Sequence, residues 1–272
     1  MTSRGYIDAT RQREFVRKIW RCYESRGRQL PWRTEVTPYG VFVSEVMLQQ
    51  TQVGRVMTRW HDFCARFDGF GALCMASTSD VLREWQGMGY NRRALWLKAA
   101  AEQVMTRFDG VLPRDTRELA SLPGIGRNTA GSIAAFAYNE PTVFIETNIR
   151  RVFIHEFMED ALDVRDAELM PLIAQTVDRV RPREWYWALM DYGSSLAQTI
   201  ENPNRRSKQY RRQSTFEGSV RQMRGEILRR LLAEGSSDLA ALAADPRFMA
   251  AIEALCAEGV VTTNGGHWQI AK

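Results

Sequence analysis

Apolar residues recur at three- and four-residue spacing along most of the chain, beginning with Phe15, Ile19, Trp20 and Tyr23 after a polar start. Such a stripe lets one face of a helix enter a core while the other stays in water. The same periodicity predicts helices near residues 39–60, 79–86, 91–107, 115–121, 127–138 and 148–158. Leu30-Pro31, Gly69, Gly87-Met88-Gly89, Gly110 and Pro123-Gly124 punctuate them with short connections, as expected of helices that pack as close neighbours. Alternating strand patterns are almost absent before residue 255, so the first part of the chain reads as an all-α bundle.

The pattern changes near the end. Residues 202–212 combine Pro, Asn and five basic side chains without an apolar stripe, which predicts a linker or surface loop. Beyond it, 219–233 and 246–258 are helical in pattern, and 259–270 alternates around Asn264-Gly265, a hairpin signal. Helices followed by one hairpin predict a small winged-helix-like module over 214–272.

With 272 residues, 44% of them hydrophobic, the chain can bury a substantial core. A formal charge of +5 leans towards polyanions without establishing nucleic-acid binding. Cys22, Cys64, Cys74 and Cys256 show no CxxC spacing, so neither a zinc site nor a disulfide framework is expected. No apolar run approaches the roughly 18 residues of a spanning helix, and the polar start lacks a secretory signal. The expectation is a cytoplasmic protein with reduced thiols.

Candidate chemistry clusters in a few places. Leu122-Pro123-Gly124-Ile125-Gly126 lies between two helical patterns and is followed by Arg127, Asn128 and a run of small residues, a helix-hairpin-helix. The backbone N–H groups around Gly124 and Gly126, with the N-terminus of the next helix, suit a DNA phosphate without reading sequence. Glu45 sits among Val41, Phe42, Val46 and Leu48, where burial would raise its pKa and fit it to act as a general acid. Gln49 and Gln50 extend the same predicted helix as uncharged groups able to meet base edges or fill the gap left by a flipped nucleotide. Glu146 ends the apolar run 142–145 just before a helix start, whose dipole and free N–H groups would hold it ionised. One protonated and one charged carboxyl are what cleavage through a sugar cation requires, here extended from sugar–oxygen to sugar–base bonds.

Four segments occur in order: LPWR at 30–33, SEVMLQQTQV at 44–53, GMGY at 87–90 and LPGIGR at 122–127. Over about residues 30–193 the chain resembles the MutY-type adenine-DNA glycosylases of the helix-hairpin-helix superfamily. The resemblance implies a two-lobed bundle over 1–213, with a six-helix lobe at about 36–140 and a second lobe from 1–35 and 141–213. It implies that Glu45 protonates the base, that Gln49, Gln50 and Tyr90 contact or wedge the DNA, and that Gly124, Gly126 and Arg127 hold a phosphate.

The chain departs from that pattern in three ways. Glu146 stands where the family has an aspartate, a carboxylate on a longer arm. The four cysteines of the family's iron–sulfur cluster have no counterpart after residue 193, so no cluster, metal or other cofactor is expected, and Arg205, Arg206 and Lys208 fall where cluster-loop phosphate contacts would be made. The tail is too short for the family's 8-oxoguanine-sensing domain, and Arg221, Arg224, Arg229 and Arg230 are its candidate DNA contacts. Asn128 occupies the position of the lysine nucleophile in related bifunctional lyases and cannot form a Schiff base.

The expected activity is therefore monofunctional excision of a mispaired or damaged base from double-stranded DNA by a monomer, away from any membrane, without strand cleavage. Adenine leads; thymine, uracil or hypoxanthine are alternatives, as is a DNA-binding protein without catalysis.

Overall fold

The computed structural model describes residues 5–211, 215–234, 236–237, 239–264 and 267–271, and is mainly helical. In chain order the helices are α1 (Ala9–Arg26), α2 (Pro31–Thr34), α3 (Pro38–Leu48), α4 (Val53–Arg66), α5 (Phe70–Met75), α6 (Thr78–Glu84), α7 (Arg92–Arg107) and α8 (Thr116–Ala120). They continue with α9 (Arg127–Tyr138), α10 (Thr147–Phe157), α11 (Asp166–Thr176), α12 (Pro182–Thr199) and a 3-10 turn at Pro203–Arg206. The C-terminal part comprises α13 (Val220–Glu234), β1 (Ser236–Ser237), α14 (Ala240–Ala243), α15 (Phe248–Ala257), β2 (Val261–Asn264) and β3 (His267–Ile270).

Local chemistry sets many of these boundaries. The Asp8 carboxylate accepts from the backbone N–H groups of Thr10 and Arg11 to start α1, and Ser77 accepts from Asp80 N–H to start α6. Pro31 and Pro182 open α2 and α12, where their missing N–H costs nothing. Asn139, left-handed at φ 60°, closes α9.

The chain divides into two compact units. One comprises residues 1–41, 114–120 and 125–212. Its core is aromatic: Phe15 meets Phe157, Phe153 and Trp185 edge-on, with ring centroids 4.9, 5.5 and 6.0 Å apart. Here α10 packs against α11, α12 and the 3-10 turn, and α12 also packs on α1 and α9. The LPWR segment earns its place structurally, because Trp32 is buried and the Arg33 guanidinium forks onto Asp191 of α12 at 2.9 and 3.0 Å. Asp191 also accepts from Arg28 Nε at 2.6 Å.

The other unit comprises residues 42–113, 121–124 and 213–272. Phe42 meets Phe70, and Phe63 meets Phe67 and Trp85, around α5, α6 and α7. Its C-terminal portion has the predicted winged-helix-like order, with α13, α14 and α15 beside an antiparallel sheet of order β1-β3-β2. Val261 pairs with Ile270 and Asn264 with His267 in the hairpin; its turn residues, Gly265 and Gly266, lie outside the described residues.

Three expectations need correction. The helix expected over 39–60 is two helices, because α3 stops at Leu48 and residues 49–52 form a turn. The helix α9, assigned from the sequence to the lobe at 36–140, packs instead with α8 and α12: the absent side chain of Gly131 admits Phe144, whose Cβ would lie 2.8 Å from any added Cβ. Residues 202–208 are a docked segment rather than a loose linker. Pro203, Asn204 and Ser207 are buried, Asn204 Nδ2 donates to Thr147 O at 2.9 Å, and Val164 exchanges backbone hydrogen bonds with Arg206 and Lys208.

Candidate active site

Glu146 is the N-cap of α10. Its Oε1 accepts from the N–H groups of Asn148 at 2.8 Å and Ile149 at 2.9 Å, and Asn148 Nδ2 donates to Oε2 at 3.3 Å. Two donors that would otherwise be orphaned at the helix start are thus satisfied, as the sequence suggested. Enclosure of the carboxyl pushes its pKa above the ordinary value, and the two N–H groups, Arg150 and Arg151 oppose that shift without reversing it. The residue as a whole is half-buried, so it is the carboxyl end that is desolvated.

The surroundings of this carboxyl were not legible in the sequence. Arg151 is buried; its Nη1 donates to Asn148 Oδ1 and to Gly193 O, both at 2.7 Å, and its Nε to Asn202 Oδ1 at 3.2 Å. Arg150 forks onto Asp166 at 2.6 and 2.8 Å. Gly193 of α12 lies so close to the first turn of α10 that a Cβ there would be 2.5 Å from Asn148 O.

Glu45, in the other unit, lies on α3 beside buried Ser44, Val46 and Met47. It is half-buried rather than fully enclosed. The end of its helix is fixed by a residue sequence reasoning missed, Arg93, which is 4% exposed. Nη1 of Arg93 donates to the carbonyls of Val46, Met47 and Gln49 at 2.9, 2.9 and 2.5 Å. Nη2 donates to Thr51 Oγ1 at 2.9 Å, Gly89 O at 3.0 Å and Met88 O at 3.3 Å. Burial lowers its pKa to about 10, so the guanidinium stays charged at neutral pH. The one cation therefore satisfies the last carbonyls of α3 and ties the 49–52 turn to the 87–90 turn.

This arrangement corrects the reading of the glutamine run as helix. Gln50 is exposed and left-handed at φ 55°, while Gln49 turns inward, its Nε2 donating to Gly124 O at 3.1 Å. Gly87, Gly89 and Tyr90 are also left-handed, at φ 82°, 71° and 48°. Tyr90 is 41% exposed, its ring 5.5 Å from the Arg93 guanidinium carbon. Gln50 and Tyr90 line one cleft.

In the hairpin the two glycines differ. Gly124 has φ +75° and an added Cβ would lie 2.9 Å from Trp96 Cβ, so both conformation and space require glycine. Gly126 has φ −84° and open space around it, so its expected conformational role is not needed. It is instead the N-cap of α9 and supplies no side-chain acceptor, which leaves first-turn N–H groups for an anion. Arg127 and Asn128 are exposed in that first turn, and Asn128 Oδ1 accepts from Ile145 N–H at 3.3 Å.

The expected basic contacts are mostly engaged within the protein. Arg206 donates to Met158 O at 2.7 Å and to Glu159 O, closing the end of α10, so it is a helix-capping group rather than a presented phosphate contact. Arg205 pairs with Glu201 at 2.7 Å on the surface, and Lys208 is exposed. On α13, Arg224 pairs with Glu258, and Arg229 and Arg230 with Glu226. The cysteines lie on α1, α4, α5 and α15, and no group of three or more His, Cys, Asp or Glu suited to a metal occurs among the described residues. That donor set does not fit an iron–sulfur cluster.

Residues 43–174 match the HhH-GPD superfamily of base excision DNA repair proteins. An adenine DNA glycosylase of Mycobacterium tuberculosis is 33% identical over 267 residues, covering 88% of each chain. One from Mycolicibacterium smegmatis is 34% identical over 226 residues, covering 76% of each. The human adenine DNA glycosylase is 33% identical over 186 residues, 64% of this chain and 34% of its own. Among solved structures, a thermostable thymine-DNA glycosylase has a TM-score of 0.63 and 25% identity, covering 69% of this chain and 88% of its own. An endonuclease III trapped on DNA has a TM-score of 0.56 and 18% identity, over 70% and 86%, and shares the fold. By sequence and by architecture alike, the chain belongs to the HhH-GPD superfamily of base excision DNA repair proteins and is a DNA glycosylase.

Proposed function

We propose that this glycosylase excises adenine from mismatched double-stranded DNA, acting as a monomer in the cytoplasm, and leaves an abasic site with the strand intact. The observation that carries the choice of base is the match to an adenine DNA glycosylase along 88% of both chains. No helix among the described residues is long and apolar enough to cross a membrane, in keeping with that setting.

Glu45 gives a proton to a ring nitrogen of the departing base, the sugar–base bond breaks with its electron pair on the base, and the Glu146 carboxylate stabilises the sugar cation. Water then adds to the sugar carbon, and its proton passes to Glu146. The cation also favours ionised Glu146, offsetting the upward push of burial. With Asn128 in place of an amine, no Schiff base forms. The enzyme works without an iron–sulfur cluster, since residues 200–212, directly after α12, carry no thiol and are packed by Asn204 and Arg206 onto α10.

A duplex panel carrying single adenine, thymine, uracil or hypoxanthine targets opposite guanine or 8-oxoguanine tests this. Adenine release is expected, with strand breaks only after alkali, and Glu45→Gln lowers single-turnover excision about 100- to 10,000-fold. Release of thymine or uracil in place of adenine would support the second reading, a thymine/uracil glycosylase, which the 0.63 TM-score to a thymine-DNA glycosylase favours. Hypoxanthine, a purine with the same ring nitrogens, is the remaining target of the panel.

A further inference from the structure

Three contacts lay the segment that leads into Glu146 along one face of α9. Thr142 Oγ1 donates to Gly131 O at 2.7 Å, Phe144 fills the space left by the missing side chain of Gly131, and Ile145 N–H donates to Asn128 Oδ1 at 3.3 Å. Asn128 and Gly131 are three residues apart, which puts them on the same side of the helix. All of these residues belong to one compact unit. Ile145 is buried, and Asn128 Oδ1 is the one acceptor its N–H has among the described residues. Without that acceptor a buried donor would be left unsatisfied.

Asn128 also stands second in α9, in the turn that Gly126, lacking a side-chain acceptor, leaves open for an anion. One side chain therefore joins the expected phosphate site to the backbone one residue before the carboxylate. The glutamate arm needs such support, because it has one more rotatable bond to fix than an aspartate would. The N–H groups of Asn148 and Ile149 set its carboxyl against α10. The extended backbone entering Glu146, at φ −134° and ψ −179°, is set from α9.

We propose that Asn128 is a positioning residue for excision. By holding Ile145 it makes the seat of Glu146 and the phosphate-binding turn of α9 a single piece, so that a duplex gripped at α9 meets the carboxylate in register. This role rests on Glu146 being the anion that stabilises the sugar cation, and holds whichever base is excised.

The test uses the full chain, with single-turnover excision at saturating enzyme and affinity for a duplex carrying a non-cleavable abasic analogue. Asn128→Ala lowers the excision rate constant about tenfold, with affinity within about threefold of wild type and a native melting temperature. Asn128→Asp keeps an acceptor at the same place and recovers a rate constant within about threefold of wild type, while its charge weakens affinity about tenfold. Hydrogen exchange at the Ile145 amide speeds up in the alanine variant and returns to the wild-type rate in the aspartate variant. Val143→Ala, at an exposed position of the same segment, changes none of these. Glu146→Gln, assayed in parallel, separates two ways of failing. If it excises like wild type, the anion's role falls and that of Asn128 falls with it. If it is slow while Asn128→Ala keeps the wild-type rate constant, or loses affinity alone, only the role of Asn128 is overturned. An aspartate variant as slow as the alanine variant would overturn it too, because an acceptor would not be what Asn128 supplies.

Discussion

The start of α10 and the end of α3 are opposite solutions to one problem. At the start of α10 an anion, Glu146, takes up free N–H groups; at the end of α3 a cation, Arg93, takes up free carbonyls. Each agrees in sign with its helix dipole. They differ in connectivity. Glu146 binds donors of its own helix, two and three residues on, whereas Arg93 comes from α7 and reaches two separate turns. A local cap leaves the carboxyl available for chemistry, while a long-range cap makes its side chain part of the framework.

The largest expected effect separates these roles. Glu146→Gln keeps one acceptor for the helix start but loses the anion, and single-turnover excision should fall about 100- to 1,000-fold with the circular dichroism spectrum unchanged. Arg93→Met should act in reverse, removing about 3 kcal/mol of stability in urea unfolding, because several carbonyls lose their donor at once. If Arg93→Met melts like wild type, the contrast fails.

A pH series sharpens the comparison. The folded-state pKa of Glu146 is raised above 4.5 by burial, so the folded state favours its protonated form. Its stabilising contribution is present below that value and is lost as pH rises through the raised pKa. Wild type should therefore lose melting temperature relative to Glu146→Gln as pH rises above 4.5; a constant difference would show that the carboxyl is not desolvated. The smallest effects belong to the hairpin. Gly124→Ala should cost about 2 kcal/mol, from the left-handed backbone and the Trp96 contact, and Gly126→Ala should stay within about 0.5 kcal/mol.

These contrasts mark what the sequence could reveal. The bounds 127–138 were readable because small and apolar residues alternate cleanly between Gly126 and Asn139, and Glu146 was readable because an apolar run ends on it just before a helical pattern. The end of α3 was not, since nothing local to Gln49 stops a helix: the stop comes from Arg93, 44 residues away. One signal was available. Arg93 shares a helical face with Leu97, Ala100 and Val104, and an arginine on a buried stripe must find acceptors. The docking of residues 202–208 was hidden for a similar reason, because their partners Thr147, Arg151 and Val164 lie 42 or more residues earlier in the chain.

Gly193 has no functional group, yet it sets a mechanical tolerance. With 2.5 Å between Asn148 O and the place a methyl would occupy, any side chain at 193 must displace the turn on which Glu146 is mounted. Since a shift near 1 Å can cost about a hundredfold in rate, a hydrogen atom on α12 gauges the seat of the reactive carboxyl, and replacing it would blunt the enzyme without touching a single reacting atom.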